Sequence, residues 1–365
     1  MFERAVYRER RAGVQRQLEA GEAFLITSPI NVTYLTGFTG DSSYLLLTST
    51  DCLILSDGRY EIQLAEQCPD VPVALRQRSE QIMDYAAAKI REYGPRHLRV
   101  EAHVLSHAQY EQLAAIEDLE VVDGHRTVEG LRAIKGAEEL ECIERAVDIA
   151  ERAMRSVLPL LNRRHSEREI ALRLEHVMQE LGASASAFPI IVAAGPRAAL
   201  PHAEPSSARL GGASLILVDW GATYQGYRSD LTRVWATSRI PTDLERGFEA
   251  VSAAQLAAIE ALRPGVSTEE VDRAARQVLA EAGLADRFNH GLGHGIGLEI
   301  HESPFVGREA VELRPGMVIT VEPGVYFPGQ GGIRIEDDVL ITEDGHRLLS
   351  RLPRTLAGNR IELLD

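Results

Sequence analysis

The chain has 365 residues, 45% of them hydrophobic and 25% charged, with a formal net charge of −15. That length and composition predict a globular protein of two domains and argue against disorder. The acidic balance repels phosphate backbones and no Lys/Arg cluster overrides it, so nucleic acid is not an expected partner.

The first residues, MFERAVYRERR, carry charge where a signal peptide needs an apolar core. The most apolar stretch, 183–195, is interrupted by Ser184, Ser186 and Pro189 and is too short for a bilayer. Neither export nor a membrane partner is expected, and the location implied is cytoplasmic. Cys52, Cys68 and Cys142 are odd in number and widely spaced, which predicts reduced, buried thiols and neither a disulfide framework nor a CxxC site.

Residues 1–130 alternate in character. AFLIT, YLLLT and CLILS read as strands, whereas 59–68 and 80–93 read as helices, which predicts an α/β N-terminal domain. The charged segment 131–138 (LRAIKGAE) is expected to link it to a second domain, 139–365.

The second domain contains an internal duplication at an offset of 101 residues: Ser166, Glu169, Ile170, Val177, Glu180 and Gly182 recur as Ser267, Glu270, Val271, Val278, Glu281 and Gly283. In each copy the Ser and the Glu three residues later predict a capping box, and the Gly predicts a left-handed stop. Two helix–helix–sheet halves with a cleft between their sheets follow from this repeat.

Each half carries a pair of acids. In LILVDWGATYQGYRSDLTRVW a hairpin turning near 224–226 would set Asp219 directly opposite Asp230. In MVITVEPGVYFPGQGGIRIEDDVLI a turn centred on Gly329 would set Glu322 opposite Glu336. Facing like charges destabilise a sheet, and clustered carboxylates raise one another's pKa, unless cations lie among them. Two divalent ions would balance the charge and activate a water. His294 lies among glycines at 291, 293, 295 and 297, where bare backbone permits close approach of a ligand. An oxygen-rich set with one imidazole favours Mn²⁺, with Co²⁺ or Zn²⁺ able to substitute. Arg334 is two residues before Glu336 and shares its face on a strand, as a salt bridge or a substrate contact. His202 and His301 are candidate hydrogen-bond donors to a developing oxyanion, and His290 is a further candidate.

Several runs together resemble the Xaa-Pro peptidases, aminopeptidase P and prolidase, of the pita-bread metallopeptidase superfamily. These are Asp219 with Ser229-Asp230-Leu231-Thr232-Arg233, His290-x-x-x-His294-Gly-Ile-Gly, His301-Glu302, Val321-Glu322-Pro323-Gly324 and Arg334-Ile335-Glu336-Asp337. NVTYLTGFTGDSSYLLL and LSDGRYEIQLAEQ are similar to the N-terminal domain of the same enzymes. The resemblance implies a creatinase/prolidase-like α/β domain followed by an α+β pita-bread catalytic domain with a pseudo-two-fold repeat. It also implies that Asp230 and Glu336 bridge two metals, that Asp219 completes one site, and that His294 and Glu322 complete the other. Glu322 would move a proton to the departing proline nitrogen, His202 and His301 would hold substrate and intermediate, and His290 would line the proline pocket. Proline-containing peptides are the implied substrates, and a homodimer or homotetramer the implied assembly, in which Asp41 would reach a substrate amine in a neighbour's cleft. Some prolidases carry Arg four residues after the second histidine. Phe305 stands there in this chain, so aminopeptidase P is the favoured activity and prolidase the alternative. A creatinase-type amidinohydrolase and an inactive pita-bread binding module would both lack the ligand set.

Overall fold

Short apolar runs separated by amphipathic stretches build a mixed six-stranded sheet in the first part of the chain. It is seen in a computed structural model that describes residues 2–237 and 239–362. The strands are β1 (Glu22–Ile26), β2 (Tyr44–Thr48), β3 (Cys52–Asp57), β4 (Val73–Arg76), β5 (His97–Val100) and β6 (Glu120–Asp123), in the order β4-β3-β2-β1-β5-β6. The central pairs β1–β2 and β2–β3 are antiparallel, and the outer pairs are parallel. Helices α1 (Arg4–Gln15), α2 (Pro29–Thr36), α3 (Glu61–Gln67), α4 (Ile82–Tyr93), α5 (His107–Ala114) and α6 (Thr127–Arg132) complete this unit, Met1–Arg132. The expected strands and both expected helices are present, with helix ends shifted by one or two residues.

Helix α7 (Ala137–Val157) belongs to the second unit, Ala133–Asp365, so 131–138 holds two helix ends and a four-residue connection. Each half of this unit packs two helices on a sheet. Helices α7 and α8 (Glu167–Glu180) cover β8 (Ile191–Ala194), β9 (Leu215–Trp220) and β12 (Leu231–Ala236) through a core that includes Ile149, Met154, Leu174, Val218 and Trp235. Trp220 is fully buried, and its indole N–H is satisfied by the Ala150 carbonyl at 2.9 Å, tying β9 to α7. Helices α9 (Thr242–Ala261) and α10 (Thr268–Glu281) cover the second half through Phe248, Val251, Leu279, Ile319 and Val339. That half contains β13 (Gly293–Gly295), β14 (Glu302–Val306), β15 (Val318–Val321), β16 (Gly324–Phe327), β17 (Gly331–Arg334), β18 (Asp337–Ile341) and β19 (His346–Leu348). Their sheet runs β14-β13-β15-β18-β19, with β16–β17 as a separate ribbon. Short strands β7 (Ala185–Ser186), β10 (Ala222–Tyr224) and β11 (Tyr227–Arg228) form a small sheet of their own. The architecture is a creatinase-type N-terminal unit followed by a pita-bread unit.

The repeat is real in three dimensions. Ser166 caps α8 with a reciprocal box to Glu169, and Gly182 and Gly283 stop their helices at φ 104 and φ 74. In the second copy the expected box does not close, because the Glu270 N–H is taken by the Ser267 carbonyl at 2.9 Å. The Ser267 hydroxyl instead accepts from Glu269 at 3.3 Å. No helix among the described residues is long and apolar enough to cross a membrane.

Candidate metal centre

The first acid pair rests on the β9–β12 ladder, and its register differs from the expected one. Asp219 faces Thr232, not Asp230. The turn consists of two residues, Gln225 and Gly226, both with positive φ (48° and 88°), between the paired Tyr224 and Tyr227. Such a tight turn matches strand twist, and its centre lies one residue later than the Asp219–Asp230 pairing requires, which moves the pairing by two residues. A shift of two keeps every side chain on its face, so Asp219, Asp230 and Thr232 still share one side of the sheet. A Cβ on Gly221 would stand 1.9 Å from the Ser229 carbonyl oxygen, so the crossing of the two chains admits only glycine there.

The second pair follows the expected register. Val321 faces Asp337 and Gly324 faces Arg334 around a turn at Gly329 (φ 76°), which sets Glu322 opposite Glu336. An isolated bridge joins Thr232 to Glu336 and brings the two hairpins together. The Thr232 hydroxyl donates to Glu336 Oε2 at 2.6 Å, and the Glu336 N–H donates to the Thr232 carbonyl at 3.1 Å. Arg334 lies on the same face, with Nη2 2.5 Å from Asp219 Oδ2, Nε donating to Thr232 Oγ1 at 3.2 Å and Nη1 to the Tyr326 hydroxyl at 2.9 Å.

His294, on β13, points Nε2 to within 3.4 Å of Glu322 Oε1 and 3.7 Å of Asp230 Oδ2, while Nδ1 lies 3.1 Å from the Gly295 carbonyl. Two of the flanking glycines make room for neighbouring backbone. A Cβ on Gly293 would stand 2.0 Å from the Thr320 carbonyl oxygen, and one on Gly295 2.3 Å from that of Ser303.

All nine sequence candidates of the C-terminal unit line one cleft of about 690 Å³: His202, Asp219, Asp230, His290, His294, His301, Glu322, Arg334 and Glu336. His294 and His301 meet edge to face at 4.3 Å, and His290 Nε2 lies 3.0 Å from the Tyr326 hydroxyl. Asp41, in the N-terminal unit, is exposed and accepts hydrogen bonds from Tyr60 at 2.6 Å and Ser42 at 2.9 Å. Tyr326 and Arg308 also line the cleft and Thr232 holds Glu336 there; none of the three was singled out from sequence as a site residue. Thr232 was accessible in principle, two residues from Asp230 on one strand face. Arg308 is an exposed arginine in a turn, a residue with no periodic signal.

Burial dominates the electrostatics. It raises the carboxyl pKa of Asp219 and pushes Glu322 up to about 8, and burial plus neighbouring acids drives Asp230 and Glu336 well above the usual range. The same loss of solvent pushes His294 down to about 3 and His290 to about 4, so both imidazoles are neutral at pH 7. Arg334 supplies one positive charge against four acids. Asp219 Oδ1 is buried with no hydrogen-bond partner, and Asp230, His294 and Glu336 offer ligand atoms within 4.8 Å of one another. An orphaned buried oxygen beside a compressed oxygen-rich donor set fits divalent cations.

Two helix-backed half-sheets around a buried carboxylate–imidazole cluster define the pita-bread class of metallopeptidase. The chain belongs to metallopeptidase family M24, whose model matches residues 141–343, while the Creatinase/Prolidase N-terminal domain matches 10–134. It is 35% identical over 337 residues to an Xaa-Pro dipeptidase of Pyrococcus horikoshii, covering 92% of this chain and 94% of that one. Its fold superposes on an Xaa-Pro dipeptidase from Bacillus anthracis with a TM-score of 0.90, at 33% identity, covering 96% and 99% of the two chains. An X-Pro aminopeptidase from Thermotoga maritima gives a TM-score of 0.84 at 33% identity, covering 94% and 98%.

Proposed function

We propose that this protein is an Xaa-Pro dipeptidase, a prolidase, working with two divalent ions, Mn²⁺ foremost and Co²⁺ or Zn²⁺ as substitutes. Asp219, Asp230, His294, Glu322 and Glu336 would hold the ions, with Asp230 and Glu336 shared. When bound, divalent cations supply Lewis-acid polarisation and an activated water. Glu322 would carry a proton to the proline nitrogen, a poor leaving group unless protonated. His202 and His301, exposed at the cleft, would donate to the oxygen that becomes negative. His290, neutral and edge-on to Phe288 at 4.9 Å, would wall the proline ring.

The observation that carries dipeptidase over aminopeptidase P is Arg308. Phe305 occupies the position where some prolidases carry arginine, but Arg308 lines the same cleft three residues on. No carboxylate among the described residues pairs with its guanidinium. A free cation there suits the α-carboxylate of a two-residue substrate. The names of the Pyrococcus horikoshii and Bacillus anthracis relatives support the same choice. The three free thiols support a reducing, cytoplasmic setting, and a homodimer or homotetramer is part of this reading. Kinetics with Mn²⁺ on an Xaa-Pro dipeptide and on the matching Xaa-Pro-Xaa tripeptide test it. We expect kcat/KM at least about tenfold higher on the dipeptide, equal to one bidentate charged contact of about 1.4 kcal/mol. Preference for the tripeptide would establish aminopeptidase P instead.

A further inference from the structure

The internal repeat carries one correspondence beyond the helix caps. The residue after each capping serine, Glu167 in the first half and Thr268 in the second, is fully buried at the start of its helix. Each backbone N–H pairs with the strand-like segment that precedes its half's acid hairpin: Glu167 with the Ala208 carbonyl at 3.0 Å, Thr268 with the Val311 carbonyl at 2.9 Å. The preceding serines make equivalent bridges, Ser166 to Arg209 and Ser267 to Glu312. The two side chains then do the same task with different chemistry.

The Glu167 carboxylate collects donors from both ends of one loop. Oε1 accepts the Ala194 N–H at 2.9 Å, and Oε2 accepts the Arg197 Nε–H at 2.9 Å, the Ser206 N–H at 2.9 Å and the Ser206 hydroxyl at 2.7 Å. Between those anchors lies His202, whose neighbour Pro201 accepts from Arg334 Nη1 at 3.3 Å. The Thr268 hydroxyl donates to the Glu309 carbonyl and accepts the Val311 N–H at 3.1 Å, closing the turn that follows Arg308. The longer loop needs a carboxylate with several donors, and the shorter turn needs a single hydroxyl.

We infer that Glu167 and Thr268 are equivalent positioning residues, each fixing the loop that presents its own half's substrate-contacting side chain, His202 in one and Arg308 in the other. The roles of His202 and Arg308 rest on the dipeptidase reading above; the loop-fixing does not. Positioning errors of about 1 Å are worth up to about a hundredfold in rate, so losses of about tenfold are the scale to look for.

The test combines kinetics of the metal-loaded full chain on an Xaa-Pro dipeptide with amide hydrogen exchange. Glu167→Gln is expected to lower kcat about tenfold with KM little changed, and Thr268→Val to raise KM about tenfold with kcat within about twofold. Thr268→Ser should restore KM. In a His202→Ala background Glu167→Gln should cost less than about twofold more, and Thr268→Val likewise in Arg308→Ala. Exchange should quicken in 194–206 alone for the first variant and in 307–313 alone for the second. Ser206→Ala, which removes the hydroxyl donor to Glu167 and keeps the backbone N–H, replaces Glu167→Gln should that protein not fold. Losses that multiply in full in the double variants, or exchange that quickens in both loops alike, overturn the inference. A wild-type chain inert on Xaa-Pro dipeptides would refute the substrate reading alone, and loop-selective exchange would still decide the positioning roles.

Discussion

Two acids of this chain show how neighbours decide charge. Asp57 is held by Arg59 at 2.9 Å and by Arg76 at 2.9 Å, and these guanidinium contacts draw its carboxyl pKa down to about 2. Glu322 has no such partner, and burial pushes it up to about 8. The depressed Asp57 contributes stability above its unfolded pKa of about 4, a contribution lost as pH falls through about 2. Asp57→Asn is therefore expected to lower the thermal midpoint at pH 7, with the gap to wild type narrowing from pH 4 downward and closing near pH 2. A gap that stays constant across that range in a melting series would show that Asp57 is not the source. Among the described residues the four acids of the cluster meet one guanidinium in direct contact, that of Arg334 on Asp219. At this scale the sequence was informative about which residues meet and silent about Arg308, because an exposed arginine in a turn looks like any solvated charge.

Hairpin geometry decides what the acids can do together. The pairing of Glu322 with Glu336 was legible because Gly329 marks the centre of a ladder whose strands alternate cleanly on both sides. That of Asp219 with Asp230 was misread by two residues, since Gln225 gives no hint that it adopts φ 48°. The face was nevertheless right, because strand periodicity is two and the error was even. Gly221 is the position on which this hairpin depends most. Its missing Cβ lies 1.9 Å from a backbone oxygen, which cannot swing aside as a flexible side chain would. Gly221→Ala should cost about 3 kcal/mol or more by forcing the strands apart, measured by urea unfolding. A loss below about 1 kcal/mol would mean the crossing is looser than described.

Across the whole C-terminal unit, duplication explains both the stability and the site. Each half supplies a helix pair, a core and one acid hairpin, and the offset of 101 residues between the helix caps becomes 103 between the ladders, where Asp219 corresponds to Glu322. Helix caps and stops were readable because they use fixed residue types at fixed spacing. The loops between them were not, since two extra residues separate the copies and the side chains that hold each loop, Glu167 and Thr268, differ. Convergence of the two hairpins through the Thr232–Glu336 bridge leaves three buried acids, the half-buried Glu322 and one neutral imidazole facing one another. On the function proposed above, this convergence holds two cations. Calorimetric titration of the metal-free chain with Mn²⁺ tests it most directly. About two ions should bind per chain, and Asp230→Ala, at the shared position, should abolish both. A wild-type chain that takes up no Mn²⁺, or an Asp230→Ala chain that still binds two, would contradict the claim.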